Sequence, residues 1–178
     1  MNIGVTYSFG SILTESVLAF KKEFPDVTIN ICYKNVMELM ELVSDGELDF
    51  ALSFRSSEKY DNVESHILFD NKLSIVVREG HPITRKEFVR LADLEEYDLV
   101  LPSIGLQARS TFDNIIAERN LNLKVAMEAN EVNTILNILR RSNYVTVLSE
   151  TVILEHNGLV TIDIDDAECN MEGCLHFC

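Results

Sequence analysis

The chain has 178 residues, of which 15 are basic and 29 are acidic, so its formal charge at pH 7 is −14. Hydrophobic residues make up 47% and charged residues 25% of the sequence, with 7 Gly and 3 Pro. This composition is typical of a globular protein and excludes a collagen-like or low-complexity chain. A surface this acidic repels phosphate groups, so we do not expect this piece to bind nucleic acid directly.

The sequence predicts a cytoplasmic protein that does not interact with a membrane. No apolar run approaches the roughly 20 residues that a membrane-spanning helix needs. The first ten residues lack the basic-then-apolar pattern of a secretory signal. Four Cys are too few for a disulfide scaffold, and a reducing compartment suits them better.

Strand-like and helix-like patterns alternate in the first part of the chain. The predicted elements are a strand at 2–7, a helix at 12–24 that stops before Pro25, a strand at 27–33, a helix capped by Asn35, and a strand at 49–54. The second helix has one apolar face, formed by Val36, Leu39, Met40 and Val43. This β-α-β-α-β order predicts a parallel sheet with helical crossovers.

A second β/α set follows a long extended stretch at 67–77, which is closed by Gly80-His81-Pro82. Its predicted elements are a strand at 98–101, a helix at 109–119 with Phe112, Ile115 and Ile116 facing inward, a strand at 123–128, a helix at 131–141, a strand at 145–148 and a strand at 159–164. Two such lobes predict a ligand cleft between them, where ligands meet the carboxyl ends of parallel strands.

Residue patterns that carry catalysis are not found in the sequence. There is no GxSxG elbow, no phosphate-binding glycine loop and no GxGxxG. His66, His81, His156 and His176 are scattered singly, which favours structural or surface roles. We therefore expect no enzyme activity and no cofactor.

One group near the C-terminus has ligand types that suit zinc, namely Cys169, Cys174, His176 and Cys178. The spacing lacks the C-x2-C pair of compact zinc sites. Cys174, His176 and Cys178 alternate as residues on one face of a strand do. The favoured interpretation is buried free thiols without a metal.

Polar residues at the ends of predicted strands are the more informative feature: Thr6, Ser8, Asn35, Ser103 and Asn130. Hydroxyls, amides and free N–H groups at helix starts bind anions such as small carboxylates. Helix capping explains Asn35 and Asn130 equally well. Because the five residues come from both lobes, the pattern favours a ligand site.

Several segments of the sequence resemble the effector-binding domain of LysR-type transcriptional regulators. The opening Asn2-Ile3-Gly4-Val5-Thr6 is followed by a helix ending Phe24-Pro25. The run from Asp45-Gly46 to Leu52 is similar to the family's "L…G.LD.AI" segment. Leu73 to Val77 before Gly80-His81-Pro82 resembles its crossing strand, and Leu91-Ala92-Asp93-Leu94 matches its "L.DL". The resemblance covers nearly the whole chain in the family's order.

The resemblance implies two α/β lobes of the type II periplasmic-binding-protein kind. Lobe I would comprise residues 1–69 and 159–178, and lobe II residues 70–158, with crossings near Phe69 and Asn157. The strand at 159–164 would then return to lobe I. The family's N-terminal winged helix-turn-helix is absent from this sequence, so DNA would be bound only through that missing part.

The resemblance also implies a function: the chain senses a small-molecule effector and passes the signal to the arrangement of subunits. The alternative is a solute-binding protein for a small anionic metabolite, which shares the lobed architecture.

Carried over by position, the effector contacts are Thr6, Ser8, Asn35, Ser103, Asn130 and Thr146. This chain has Val36 where many members have a hydroxyl residue, and Lys34 adds a positive charge at the expected cleft mouth. The family also forms homodimers or homotetramers, and the residues that would lie in the dimer interface are Leu18, Lys21, Ile31 and Ile116. The apolar residues among these four have a second interpretation, as intrachain core.

Overall fold

The computed structural model describes residues 1–117, 119–154, 156–165 and 169–178. Its contacts divide the chain into two compact units. Unit 1 comprises Met1–Asn71 and Met171–Cys178, and unit 2 comprises Lys72–Asn170. Within the described ranges, no helix is long and apolar enough to cross a membrane. The alternation of strands and helices confirms the predicted α/β class.

The elements of unit 1 are β1 (Asn2–Val5), α1 (Gly10–Glu23), β2 (Asn30–Tyr33), α2 (Val36–Ser44), β3 (Phe50–Phe54), the first part of β4 (Glu64–Arg78) and most of β9 (Asn170–Phe177). Its strands form a sheet with the order β2-β1-β3-β9-β4. Strand β1 pairs in parallel with both β2 and β3. The predicted β-α-β-α-β unit is therefore confirmed, and β9 adds to β3 in the antiparallel direction.

The core of unit 1 explains why these elements pack together. Helix α2 buries the four residues predicted for its apolar face, Val36, Leu39, Met40 and Val43. The ring of Phe9 lies between those of Phe54 and Phe69, with centroids 4.6 and 5.2 Å away. Strand β9 carries Gly173 against the Phe69 ring, where a Cβ would lie 2.5 Å from two ring carbons. Only a glycine allows this close approach.

Unit 2 contains the second part of β4, followed by β5 (Asp98–Pro102), α3 (Gln107–Ile116), β6 (Lys124–Ala129), α4 (Val132–Leu139), β7 (Thr146–Ser149) and β8 (Leu159–Ile162). The second part of β4 pairs in the antiparallel direction with β7 on one side and β8 on the other. Strands β5 and β6 are parallel, and a parallel bridge joins Leu99 of β5 to Val145.

The bounds of the units differ from those of the predicted lobes near the C-terminus. The strand expected to return to lobe I at residue 159 instead pairs Leu159–Ile162 with Ile75–Arg78 of β4, within unit 2. The chain re-enters unit 1 at Met171, not near Asn157. The strand that returns is β9, which is not among the predicted elements, although the alternation of Cys174, His176 and Cys178 indicates a strand there. The predicted inward face of α3 is also only partly correct, because Phe112 is buried whereas Ile115 and Ile116 are half-buried.

Candidate functional site

The carboxyl ends of the parallel strands in unit 1 bring together the residues predicted there. Thr6 follows β1 and Asn35 follows β2, and the two strands are paired in register from Asn2 to Val5. Arg55 follows β3, which is the other neighbour of β1. Parallel strands end at the same edge of a sheet, which is where ligands bind in open α/β folds.

Thr6 and Ser8 lie where β1 passes into α1. The Thr6 side chain is 7% exposed, and its hydroxyl has no hydrogen-bond partner among the described residues. Ser8 is half-buried in a single 3₁₀ turn that leads into α1. Helix α1 has no side-chain cap and no acidic residue in its first turn. A buried hydroxyl without a partner costs about 1–3 kcal/mol, so a polar ligand group that pairs with it would be favoured.

Asn35 has a structural role that the sequence also allowed. Its side-chain oxygen accepts a hydrogen bond from the Glu38 N–H at 2.9 Å, and Glu38 accepts one from the Asn35 N–H at 3.2 Å. This capping box confirms Asn35 as the N-cap of α2. The Asn35 N–H, helped by Lys34, lowers the pKa of the Glu38 carboxyl. The start of α2 is therefore already occupied by a carboxylate of the chain.

In unit 2, Ser103 and Asn130 follow the neighbouring strands β5 and β6. The Ser103 N–H donates to the carbonyl of Ala129 at 2.9 Å, and Gly105 in the same loop has φ +96°. Helix α3 begins after this loop without a side-chain cap and without an acidic residue in its first turn. Ser103 is half-buried and Asn130 is exposed.

The capping role considered for Asn130 belongs to the next residue. Glu131 is the N-cap of α4, and its carboxylate accepts from the N–H groups of Asn133 at 2.9 Å and Thr134 at 2.7 Å. Burial opposes the ionisation of Glu131, yet these hydrogen bonds lower its pKa below the ordinary value. Asn130 thus carries no helix-capping function, and the start of α4 holds a carboxylate of its own.

Arg109 connects the two strand ends of unit 2. Its guanidinium, 12% exposed, donates to Asp113 at 2.8 Å, to Glu128 of β6 at 2.6 Å and to the carbonyl of Pro102 at 3.0 Å. Burial works against the charge, but the two carboxylates raise the pKa of Arg109. Sequence reasoning missed this residue, because its partners come from three separate elements.

Thr146 lies inside the sheet of unit 2 and not at its edge. It is fully buried, pairs with Val76 of β4, and its hydroxyl has no partner in the part of the chain that the structure describes. The parallel bridge between Leu99 and Val145 places Thr146 beside Val100, two residues before β5 ends.

The hydroxyl at the carboxyl end of β7 is that of Ser149, which lies 2.7 Å from the Thr151 hydroxyl. The strand was predicted to end at Leu148, one residue earlier. The strand-end rule, by which the polar residue after each predicted strand is taken as a candidate contact, would have found Ser149 if it had been applied to β7.

The predicted interface residues occupy the surfaces of their own units. In unit 1, Leu18 of α1 is 56% exposed and Ile31 of β2 is 44% exposed, so neither belongs to an intrachain core. Lys21 donates to the backbone carbonyls of Pro25 and Val27, the latter at 2.7 Å, where α1 ends. Ile116 in the last turn of α3 is half-buried.

The cysteine and histidine group near the C-terminus is spread over separate environments. Cys174 and His176 are fully buried, whereas Cys178 is exposed and donates to the carbonyl of Val43. All four cysteines are free thiols. The described residues contain no set of three or more side chains placed to hold a metal ion. The Nδ1 atom of His176 lies 2.7 Å from the Ser65 hydroxyl, and burial lowers the pKa of the imidazole.

Comparison with known proteins identifies the family to which these features correspond. The model of the LysR substrate binding domain matches residues 1–175. The transcriptional dual regulator GltC of Bacillus subtilis (strain 168) is 26% identical over 165 residues, covering 92% of this chain and 55% of GltC. The chain spans about half the length of the curated relatives that it matches.

Solved structures share the fold. The regulatory domain of Synechocystis PCC6803 CcmR in complex with 2-PG has a TM-score of 0.88 and 16% identity, covering 99% of this chain and 86% of that one. The effector binding domain of QuiR in complex with shikimate has a TM-score of 0.83 and 19% identity, with the same coverage. These likenesses confirm the predicted α/β fold of the type II periplasmic-binding-protein kind.

Proposed function

Because the chain belongs to the family of LysR substrate-binding domains, we propose that it senses a small-molecule effector for a transcriptional regulator in the cytoplasm. DNA would be bound by another part of that regulator, and this chain would carry no catalytic activity. The relatives are transcriptional regulators, which favours this function over that of a solute-binding protein for transport.

The observation that carries the proposal is the Thr6 hydroxyl at the carboxyl end of β1, which has no hydrogen-bond partner in the part of the chain that the structure describes. It is buried and lies immediately before the 3₁₀ turn and the uncapped start of α1. Ser8 lies in that turn, and Ser103 lies in the loop before the start of α3, which also has no side-chain cap. We propose Thr6, Ser8 and Ser103 as the main effector contacts, with Asn130 exposed beside Ser103.

The remaining predicted contacts have weaker support. The oxygen of Asn35 is held by the cap of α2, and Thr146 lies within the sheet. From β7 we keep Thr146, whose buried hydroxyl has no partner among the described residues, whereas the Ser149 hydroxyl at the carboxyl end of the strand already lies 2.7 Å from that of Thr151. An effector acts on regulation only through a difference in affinity between two arrangements of the regulator.

The effector contacts are tested by a thermal-shift screen of small metabolites, including shikimate and 2-PG. A compound at 100 times its dissociation constant adds about 2.7 kcal/mol to the stability of the protein. The same compound is then measured on Ser8→Ala, Ser8→Trp and Ser103→Trp. Thr28→Trp is the matched control, because Thr28 is exposed and lies before β2, at the opposite edge of the sheet.

We expect the tryptophan variants to lose the shift, Ser8→Ala to reduce it, and Thr28→Trp to retain it. The unfolding midpoint of each variant without compound shows whether it is folded. An unchanged affinity in folded Ser8→Trp and Ser103→Trp would remove both residues from the site.

We also propose that the chain forms a homodimer through Leu18, Lys21, Ile31 and Ile116. The exposure of Leu18 and Ile31 supports this interface. Single large apolar side chains are common on protein surfaces, but these two lie on adjacent elements, α1 and β2, of one unit. Leu18→Glu should shift the sedimentation equilibrium toward monomer. Leu154→Glu, at an apolar side chain that is 65% exposed outside this surface, should not. An equal effect of both changes would argue against the interface.

A further inference from the structure

Tyr33 is an aromatic side chain at the carboxyl end of β2 that lies against the start of α1. It is the last residue of its strand and pairs with Val5, the residue before Thr6. A Cβ at Gly10, the first residue of α1, would lie 2.9 Å from the Tyr33 hydroxyl oxygen and 3.5 Å from a carbon of its ring. The Tyr33 ring therefore lies beside the first residue of the helix, two positions after Ser8.

The chain covers Tyr33 only in part. The side chain is 53% exposed, although its ring contacts that of Tyr7 at a centroid distance of 6.5 Å and an interplanar angle of 47°. Tyr7 belongs to the same 3₁₀ turn as Ser8. Removing an aromatic ring from water is favourable, and a ring that stays exposed does not gain this free energy. The start of α1 thus combines the hydroxyl of Ser8 with a half-exposed aromatic ring.

We propose that the effector carries an aromatic ring that packs on Tyr33, while a carboxylate or hydroxyl on that ring binds at Ser8 and the start of α1. The inference rests on the proposed function and specifies the chemical class of its ligand. The polar substituent fits because the first N–H groups of an α-helix lack intrahelical partners and bind acceptors. The ring fits because offset and edge-on aromatic contacts are favourable beyond the area that they bury. An acyclic polar compound would make the first of these contacts and not the second.

The test uses benzoate as the probe in isothermal titration calorimetry. Cyclohexanecarboxylate supplies a saturated ring of the same charge, and acetate supplies the carboxylate alone. We expect wild type to bind benzoate about two- to tenfold more tightly than cyclohexanecarboxylate, which is the range for one aromatic pair, and to bind acetate more weakly than both. Tyr33→Ala should remove the preference for benzoate, and Tyr33→Phe should keep it. Phe24→Ala is the matched control, because Phe24 is 49% exposed and lies at the other end of α1.

Gly10→Ala tests the position of the ring. The added Cβ would lie 2.9 Å from the Tyr33 hydroxyl oxygen, so the side chain of Tyr33 has to move away from the helix start. We expect this variant to lose part of the preference for benzoate over cyclohexanecarboxylate. Adding Tyr33→Phe removes the hydroxyl that conflicts with the Cβ and leaves the ring, so the double variant should recover the preference.

Four outcomes would overturn the proposal: no saturable binding of benzoate to wild type, equal affinity for benzoate and cyclohexanecarboxylate, a preference that survives in folded Tyr33→Ala, or an equal loss in Phe24→Ala. If Tyr33→Ala changes sedimentation but not the binding of benzoate, Tyr33 contacts another subunit and not the effector. These outcomes are separate from the proposed function, which fails only if Ser8→Trp and Ser103→Trp retain full affinity for the compound found in the metabolite screen.

Discussion

Replacing Asn35 separates helix capping from effector binding at the start of α2. Asn35→Ala removes the oxygen that accepts the Glu38 N–H at 2.9 Å, and it leaves that N–H without its cap. Asn35→Ser keeps a capping oxygen but lacks the amide N–H₂ group, which an effector could also use. The pair of variants therefore tests the two roles independently.

The magnitude follows from the geometry of the cap. Loss of an N-cap side chain costs about 1 kcal/mol, which corresponds to about 3 °C in the unfolding midpoint of a chain of this size. The cost stays at this level because α2 remains anchored by four buried side chains, Val36, Leu39, Met40 and Val43. Asn35→Ser should change the stability by only a few tenths of a kcal/mol, since Ser ranks with Asn as an N-cap.

The assay is urea unfolding of both variants, together with the thermal shift caused by the compound from the metabolite screen. We expect Asn35→Ala to be less stable and the compound-induced shift to be unchanged in both variants. If Asn35→Ala keeps wild-type stability while both variants lose the shift, then Asn35 acts as a ligand contact and the capping argument is wrong.

Three further changes test the packing and the charges. Gly173→Ala forces a Cβ against the Phe69 ring and should lower the free energy of unfolding, measured in urea, by about 1–3 kcal/mol. Adding Phe69→Leu to this variant should restore part of the lost stability. The absence of any recovery would contradict the steric cause. Burial lowers the pKa of His176 in the folded protein, so the unfolded chain binds a proton there at a higher pH. The free energy of unfolding therefore falls as the pH drops below about 6.5, by at most about 1.4 kcal/mol per pH unit. The same dependence of the free energy of unfolding on pH in His176→Gln would refute this. Arg109→Gln leaves two carboxylates unpaired and should lower the free energy of unfolding by about 2 kcal/mol. Arg55→Gln, at a side chain that is 61% exposed, should change the free energy of unfolding little. Equal effects of the two changes would contradict the role of burial.

The sequence predicted those parts of the fold that are encoded locally. The apolar face of α2 and its cap at Asn35 depend only on residues that are close together in the sequence, and both predictions are confirmed. The pairing of β8 with β4 and of β9 with β3 joins residues far apart in the chain, and no local pattern specifies which partner a strand selects. The assignment of residue 159 to lobe I failed for this reason.

The same distinction applies to the candidate site. The strand-end rule found Thr6 and Ser103, because a polar residue after an apolar run is visible in the sequence. Ser149 directly follows the predicted strand at 145–148, but the contact from that strand was taken from the family resemblance, which gave Thr146 instead. The function of Glu131 as the cap of α4 was also hidden, since its carboxylate reaches N–H groups that Asn130, one residue earlier, was expected to cap.

The starts of the four helices give a physical reason for preferring some strand-end residues over others. An α-helix leaves its first N–H groups without intrahelical partners, and these groups attract acceptors. In the described residues, α2 and α4 satisfy theirs with the side chains of Asn35 and Glu131. Helices α1 and α3 have no side-chain cap. Each unit thus has one helix start closed by side chains of the chain and one without a side-chain cap, which supports the proposal of Ser8 and Ser103 as effector contacts.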